Sequence, residues 1–241
     1  MMNFIKIVKN DFINFTKYRI IHMTIIVSLV FALAMGFFPA IEPLLFVYIS
    51  IFVLPVITHS ITLFIENEEN TVLPYSLKKN KICEIIPAKI TSSLLMQLIS
   101  LVFYLFVMIF VLNVNNVILL LLFILTYIVG LIIHIIIGFS ITILAKSHKA
   151  MVLMYAGYII LFSFIPFLNL MYLIPDSISY VFIFSPGYLL SILFSNITFG
   201  YLFSDLFLVI LSSILLIIYS VLLILLIIKP YYKKLLNQNR G

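Results

Sequence analysis

The sequence predicts an all-α integral membrane protein with six transmembrane helices. Its 241 residues are 65% hydrophobic and only 9% charged, a composition that would not stay dissolved as a globule. All fourteen Lys and Arg residues fall into four clusters, at residues 6–19, 78–89, 146–149 and 229–240. Because cytoplasmic loops keep Lys and Arg, all four clusters are expected on the cytoplasmic side. One crossing needs about 20 apolar residues, and each intervening stretch is long enough to cross twice, so both termini are expected inside.

The elements between and within these clusters follow in chain order. Residues 1–19 place apolar side chains on one helical face and Lys on the other, which is typical of a helix lying at the membrane interface. Residues 66–89 contain four of the eight acidic residues and four lysines, so they are predicted to form a cytoplasmic loop. A short turn is expected at residues 113–116. The six predicted spans are residues 20–38, 44–65, 90–112, 117–145, 150–167 and 206–228.

The segment before the last span, residues 169–205, is far longer than a turn, yet it is apolar and has no Lys or Arg. A long apolar connection without structure would be unusual, so we expect short re-entrant helices that dip back into the outer leaflet. Ser185 followed by Pro186 has the pattern of an N-cap and a first helical residue, which predicts a helix from there through Phe194. The whole chain, residues 1–241, is predicted to be a single transmembrane domain.

The predicted spans lack the residues that power transport. None contains Asp, Glu, Lys or Arg, which usually mark ion coupling inside a membrane. No Gly-Lys pair occurs, so the chain has no phosphate-binding loop, and His-Glu-x-x-His is also missing. We therefore expect no enzyme activity and no metal or cofactor in this chain. The net charge of +6 lies beside the spans, which favours anionic membrane lipids over nucleic acid as the counter-charge.

Five polar side chains within or beside the spans are candidates for a substrate pathway. His59 and His134 lie on spans that run from outside to inside, and each is either a proton or substrate site or a neutral imidazole bonded to a neighbouring helix. The second interpretation is favoured. Thr58, Ser93 and Gln97 gather near the cytoplasmic ends of the second and third spans, where they line a vestibule or form hydrogen bonds between helices.

The loop at residues 66–89 carries the most informative pattern. From Glu66 the chain reads Glu-Asn-Glu-Glu-Asn-Thr, and Glu84-Ile-Ile-Pro-Ala-Lys precedes the third span. This resembles the permeases of ABC type-2 exporters, in which a Glu-x-Glu-x-Gly-Thr turn leads to a short cytoplasmic coupling helix ending in Gly or Ala followed by Lys. The chain departs from the family at Asn70, where Gly is usual, and at residues 79–81, where Pro-x-Ser is common. The residues on the family's positions are Glu66, Glu68, Thr71, Glu84, Ala88 and Lys89.

The resemblance implies a permease that pairs with a second copy or a paralogue and with two cytoplasmic ABC ATPase subunits. Those subunits would bind ATP and Mg, and the six matching residues would couple their motion to the membrane helices. The cargo would be amphipathic peptides or hydrophobic small molecules, as in similar small bacterial permeases that export lantibiotics or phenol-soluble modulins. Abundant Ile, Phe, Asn and Lys favour a bacterial cytoplasmic membrane as the location.

Two alternatives stay open at the level of sequence. One is a multidrug or lipid exporter permease, which would share the fold and the coupling loop and differ in cargo. The other is a stand-alone membrane immunity or scaffold protein, which would need no ATPase. Copurification of an ATPase subunit separates this last alternative from both exporters.

Overall fold

The chain is mostly helical in the part that a computed structural model describes, which is residues 2–37, 46–55, 58, 82–145, 147–164, 168, 173, 180–198 and 206–238. The predicted all-α class is confirmed for these ranges, in which no strand occurs. The α-helices are α1 (Met2–Lys17), α2 (Ile20–Phe37), α3 (Phe46–Pro55), α4 (Ile82–Phe106), α5 (Val117–Leu144), α6 (His148–Ile159), α7 (Pro186–Thr198), α8 (Leu206–Leu223) and α9 (Lys229–Gln238). A 3-10 helix covers Tyr180–Phe184, and π-helical turns cover Val107–Val111, Ile160–Phe164 and Ile224–Ile228.

Four helical stretches are long and apolar enough to cross a membrane. They are Ile20–Phe37, Glu84–Val111, Val117–Leu144 and Phe207–Lys233, which match the first, third, fourth and sixth predicted spans. Two shorter apolar helices, Phe46–Pro55 and His148–Phe162, lie where the second and fifth spans are predicted. The described residues therefore contain four helices of spanning length, and the count of six stays a prediction.

The helix α5 is the centre of the packing, because half of the side chains in its most apolar stretch are buried, against 11% in Phe207–Lys233. Small residues on α5 allow this close approach. A Cβ added at Gly130 would lie 3.1 Å from Leu190 of α7 and 3.2 Å from Ile51 of α3. Where a glycine lies at the interface of two helices, their backbones can approach closely enough for dispersion contacts to hold the two helices together in lipid.

The amphipathic helix α1 folds back against α4 through a corner at Arg19. Arg19 has φ 57°, a left-handed conformation that ends α1 and lets α2 start at Ile20 in a new direction. The face of α1 that packs inward carries Ile7 and Phe15, which are both buried. The predicted N-terminal helix is thus confirmed as a helix, and its placement at the membrane interface stays a prediction.

Two sequence-predicted boundaries are confirmed by their capping groups. The Asn116 side chain accepts hydrogen bonds from the backbone N–H groups of Ile118 and Leu119 at 3.0 and 3.2 Å, which starts α5 after the turn at residues 113–116. Ser185 Oγ accepts a hydrogen bond from Tyr188 N at 3.3 Å, which starts α7 at Pro186. Within residues 169–205, the structure describes Leu173, the 3-10 helix and α7.

The third predicted span begins earlier than its apolar residues indicate. The sequence predicts a coupling helix that ends before a span starting at residue 90, whereas α4 runs without interruption from Ile82, with Pro87 inside it. Pro87 is exposed and has no backbone N–H to donate to the carbonyl group four residues earlier, yet the helix continues through it. Residues 82–89 are therefore the first two turns of a helix that is long enough to cross a membrane. The earlier part of the predicted loop, residues 66–81, lies outside the described residues.

Candidate functional site

The six predicted coupling residues divide between the described and the undescribed parts of the chain. Glu66, Glu68 and Thr71 lie outside the described residues. The other three, Glu84, Ala88 and Lys89, lie on the first two turns of α4. One carboxylate oxygen of Glu84 is buried and has no hydrogen-bond partner among the described residues. Ala88 is fully buried and Lys89 is nearly so.

Lys89 forms a buried ion pair with Asp11 of α1, and Ser92 completes it. The Lys89 Nζ atom lies 2.6 Å from Asp11 Oδ1, and the side chains are only 6% and 1% exposed. Ser92 Oγ donates to Asp11 Oδ2, also at 2.6 Å. We call Asp11, Lys89 and Ser92 the Asp11 cluster. A buried pair of this kind is stable only when the charges meet closely and further hydrogen bonds support them, and here Ser92 bonds the second carboxylate oxygen.

Apolar side chains from five helical segments surround the same region. Ile7 of α1 packs in one buried cluster with residues at the start of α4, with residues of α5, with Ile228 of the π-helical turn and with Tyr232 of α9. That cluster consists of Ile7, Ile85, Ile86, Ala88, Ile136, Phe139, Ile228 and Tyr232. The start of α4 is therefore joined to α1 by both charge and apolar packing.

Two of the predicted pathway residues are joined directly. Gln97 Nε2 donates to Thr58 Oγ1 at 2.8 Å, and Thr58 Oγ1 in turn donates to the Leu54 carbonyl oxygen at 2.7 Å. Ser93 is also buried on α4. A further cross-helix hydrogen bond links Ser28 of α2 and Ser100 of α4 at 2.5 Å. This geometry agrees with the interpretation of these residues as hydrogen bonds between helices.

His134 belongs to a separate, aromatic set of contacts. Its Nδ1 atom lies 2.7 Å from the carbonyl oxygen of Gly130 on its own helix, so the predicted bond to a neighbouring helix is not the one observed. A carbonyl can only accept, so Nδ1 donates and Nε2 is left as an acceptor. Nε2 is buried and has no partner among the described residues. The centroid of the His134 ring lies 4.2 Å from that of Phe52, in an edge-on arrangement, and 6.1 Å from that of Tyr158. The other predicted histidine, His59, lies outside the described residues.

Sequence reasoning missed Asp11, although the sequence contains a signal for it. Asp11 is the only acidic residue among residues 1–19, and it lies four positions from both Ile7 and Phe15. Side chains four apart share a helical face, so the carboxylate lies on the apolar face of α1. A charge in that position needs a buried partner of opposite sign. Lys89 lies next to the apolar residues of the third span and is the partner that the structure provides.

The fold and these contacts define the class of the molecule: an all-helical protein with apolar helices of membrane-spanning length, tied by buried polar contacts. Within the described part of the chain, no group of three His, Cys, Asp or Glu side chains is placed to hold a metal ion. No protein-family model matches the sequence, and neither the curated proteins nor the solved structures give a significant match.

Proposed function

We propose that the chain is the transmembrane subunit of an ATP-binding-cassette exporter. In this proposal six spans cross a bacterial cytoplasmic membrane, both termini are cytoplasmic, and a second permease completes the pathway. Separate ATPase subunits bind ATP and Mg and supply the energy. The cargo is an amphipathic peptide or a hydrophobic small molecule. The support is the resemblance of residues 66–89 to the coupling loop of ABC type-2 permeases, together with the way in which the end of that loop is anchored.

The Asp11 cluster is the observation that carries the proposal. It lies at Lys89, where the loop enters the membrane, on a helix that is continuous from Ile82 to Phe106. Because α4 is continuous, a displacement of its first turns would be carried into the span. Since α1 is fixed to the same point, α1 and α4 would move together as one rigid element. Movements of rigid helices are an established way to carry a local displacement across a protein.

We assign two roles to the six matching residues. Glu66, Glu68, Thr71 and Glu84 would contact the ATPase. Ala88 and Lys89, which are buried, would act inside the permease, where Lys89 binds Asp11 and Ala88 packs in the apolar cluster. Thr58, Ser93 and Gln97 would hold α3 and α4 together beside the pathway.

Copurification is the first test. A tagged chain, extracted from its native membrane in mild detergent, is expected to bring with it a protein that contains a phosphate-binding loop. ATP hydrolysis by the purified material would establish that the partner is active. If the chain purifies without an ATPase, the stand-alone immunity or scaffold alternative replaces the exporter proposal.

A second test asks whether the Asp11 cluster transmits motion. With the complex in vesicles, Asp11→Asn is expected to lower cargo-stimulated ATP hydrolysis while the complex stays assembled. The matched control is Asn10→Asp, which places a carboxylate one position away on the exposed side of α1. Equal ATP hydrolysis in Asp11→Asn and wild-type complexes would argue against this mechanism.

A further inference from the structure

An apolar groove runs between α2 on one side and, on the other, the second half of α4 and the π-helical turn that follows it. It has a volume of about 510 Å³, within the roughly 300–1,000 Å³ typical of small-molecule sites. Every residue that lines it is apolar or glycine. They are Leu29, Ala32, Leu33, Gly36, Phe37, Val102, Phe103, Phe106, Val107 and Val111.

Small residues on α2 explain how the groove forms. Ser28, Ala32 and Gly36 recur every fourth residue, so they share one face of α2, and α4 can approach that face closely. The Ser28–Ser100 hydrogen bond fixes the two helices at one end of the groove. Ala32 and Val107 are buried at its base. A Cβ on Gly36 would be in ordinary contact with Val107 and Val111, at 3.6 and 3.5 Å.

Large side chains form the walls of the groove without closing it. On α2 the wall ends at Phe37, which is 76% exposed, and on α4 it includes Val102 and Phe106, which are 67% and 59% exposed. The groove therefore opens sideways from the helix pair. Along α2 it extends from Leu29 to Phe37, which lie eight positions apart, about 12 Å at 1.5 Å per residue.

The apolar lining of the groove limits what can bind there to apolar groups. A polar group buried there would find no hydrogen-bond partner on any lining side chain, so the bound part must be hydrocarbon. Both walls belong to helices of spanning length, so with these helices in a bilayer the opening would lie at the depth of its hydrocarbon. A narrow groove parallel to a span matches a linear chain that lies along the same direction.

We propose that this groove is a binding site for one acyl chain of a membrane lipid. Lipid tails are as apolar as leucine, so the chain gains no hydrophobic energy by leaving the bulk bilayer, and its preference comes from close packing against the walls. The preference is therefore modest. This inference does not depend on the exporter proposal, because it concerns the permease alone.

The absence of tryptophan from the sequence provides a direct test. Phe106→Trp places a single fluorophore on the wall of the groove, and Ile210→Trp places one on an exposed apolar face of α8 as the matched control. Each full-length variant is reconstituted in phosphatidylcholine vesicles with increasing fractions of lipid that carries brominated acyl chains. Bromine quenches tryptophan only on close approach, so the two curves compare lipid occupancy at the two sites.

We expect half-maximal quenching in the Phe106→Trp variant to need about threefold less brominated lipid than in the Ile210→Trp variant, a ratio in keeping with weak packing preferences in lipid. Filling the groove with Gly36→Leu should remove that difference. Leu33→Phe is a second filling variant that starts from a half-exposed side chain, so the fold should tolerate it. Coincident curves, or a difference that survives Leu33→Phe, would refute an acyl-chain site. Weaker quenching in the groove than at the control would show that protein covers it, which also excludes a lipid occupant.

Discussion

We call residues 82–100 the first half of α4 and the stretch from residue 101 through the π-helical turn to Val111 its second half, and the two are held by different chemistry. The first half uses buried polar contacts to three other helical segments, through Lys89 and Ser92 to Asp11, through Gln97 to Thr58, and through Ser100 to Ser28. The second half relies on apolar and ring contacts, such as Tyr104 with Tyr127, and it borders the open groove. In lipid, apolar surfaces have little preference for one another, whereas polar contacts define direction and register. The polar contacts therefore define the register of the first half, and the second half packs through apolar contacts that define register less strongly.

Among the variants described below, those that break the Asp11 cluster should lose the most stability. Asp11→Ala leaves the Lys89 ammonium buried without its carboxylate, so we expect the free energy of unfolding to fall by about 3–5 kcal/mol. Unfolding in detergent micelles by titration with sodium dodecyl sulfate measures this change. The double variant Asp11→Leu, Lys89→Met removes both charges and should recover most of the loss.

Lys9→Ala is the matched control for that experiment, because Lys9 lies on the exposed side of the same helix. Its free energy of unfolding should stay within about 0.5 kcal/mol of the wild-type value. A loss in Asp11→Ala no greater than in Lys9→Ala would show that the ion pair does not fix the first half of α4.

A substitution at Gly187 tests whether close packing holds helices together in a region away from the Asp11 cluster. A Cβ at this position would collide with the Phe162 carbonyl oxygen and lie 2.6 Å from the Phe52 ring. Tyr48 also donates to the Gly187 carbonyl at 3.0 Å, so the start of α7 has little room to move. We expect Gly187→Ala to lower the free energy of unfolding by about 1–3 kcal/mol.

Gly157→Ala provides the comparison, since nothing lies within 4 Å of the position that its Cβ would take. This variant should be as stable as the wild type or slightly more stable, because alanine favours a helix over glycine by about 1 kcal/mol. Equal changes in the free energy of unfolding at Gly157 and Gly187 would mean that the close contact with α3 and with the π-helical turn at Ile160–Phe164 does not decide the result.

The Thr58–Gln97 hydrogen bond should give a smaller change. Thr58→Val removes the oxygen that accepts from Gln97 and keeps the shape of the side chain. Hydrogen bonds between membrane helices average about 0.6 kcal/mol and reach about 1.7 kcal/mol, and we expect a loss in that range. Thr24→Val is the control, because the Thr24 hydroxyl bonds the Ile20 carbonyl of its own helix. A larger loss for Thr24→Val would contradict the role assigned to polar contacts between helices.

His134→Phe should have the smallest effect. The substitution removes the bond to Gly130, and it also removes Nε2, which is buried without a partner among the described residues. Replacing an imperfectly bonded polar group by an apolar one of similar shape is nearly neutral. We expect a change within about 0.5 kcal/mol, measured by the same titration. A loss of several kcal/mol would place His134 among the polar contacts that fix the helices.

The parts of the fold that depend on residues close together in the sequence were predicted correctly. Apolar length located four of the spans, and local hydrogen-bonding groups located the starts of α5 at Asn116 and α7 at Ser185. Chain composition alone placed the start of α4 too late, because residues 82–89 are only partly apolar and still continue the helix.

The contacts within the candidate site were harder to predict. Thr58 and Gln97 were grouped correctly because both are polar residues in apolar surroundings. Asp11 and Lys89 are 78 positions apart, and only the folding of α1 against α4 makes them neighbours. The alternation of hydrophobic and polar residues indicates which face of a helix is buried, but it does not indicate which helix covers that face.

The separation of Asp11 and Lys89 also sets the order in which the protein assembles. A ribosome adds about 5–20 residues per second, so Lys89 emerges roughly 4–16 seconds after Asp11. During that interval the carboxylate lacks its Lys89 partner, so α1 cannot yet form the buried pair with α4. The pairing is thus a late event in biogenesis. We expect a nascent chain arrested near residue 80 to expose α1 to protease and one arrested beyond residue 140 to protect it, and equal protease sensitivity at both lengths would rule out this sequence of events.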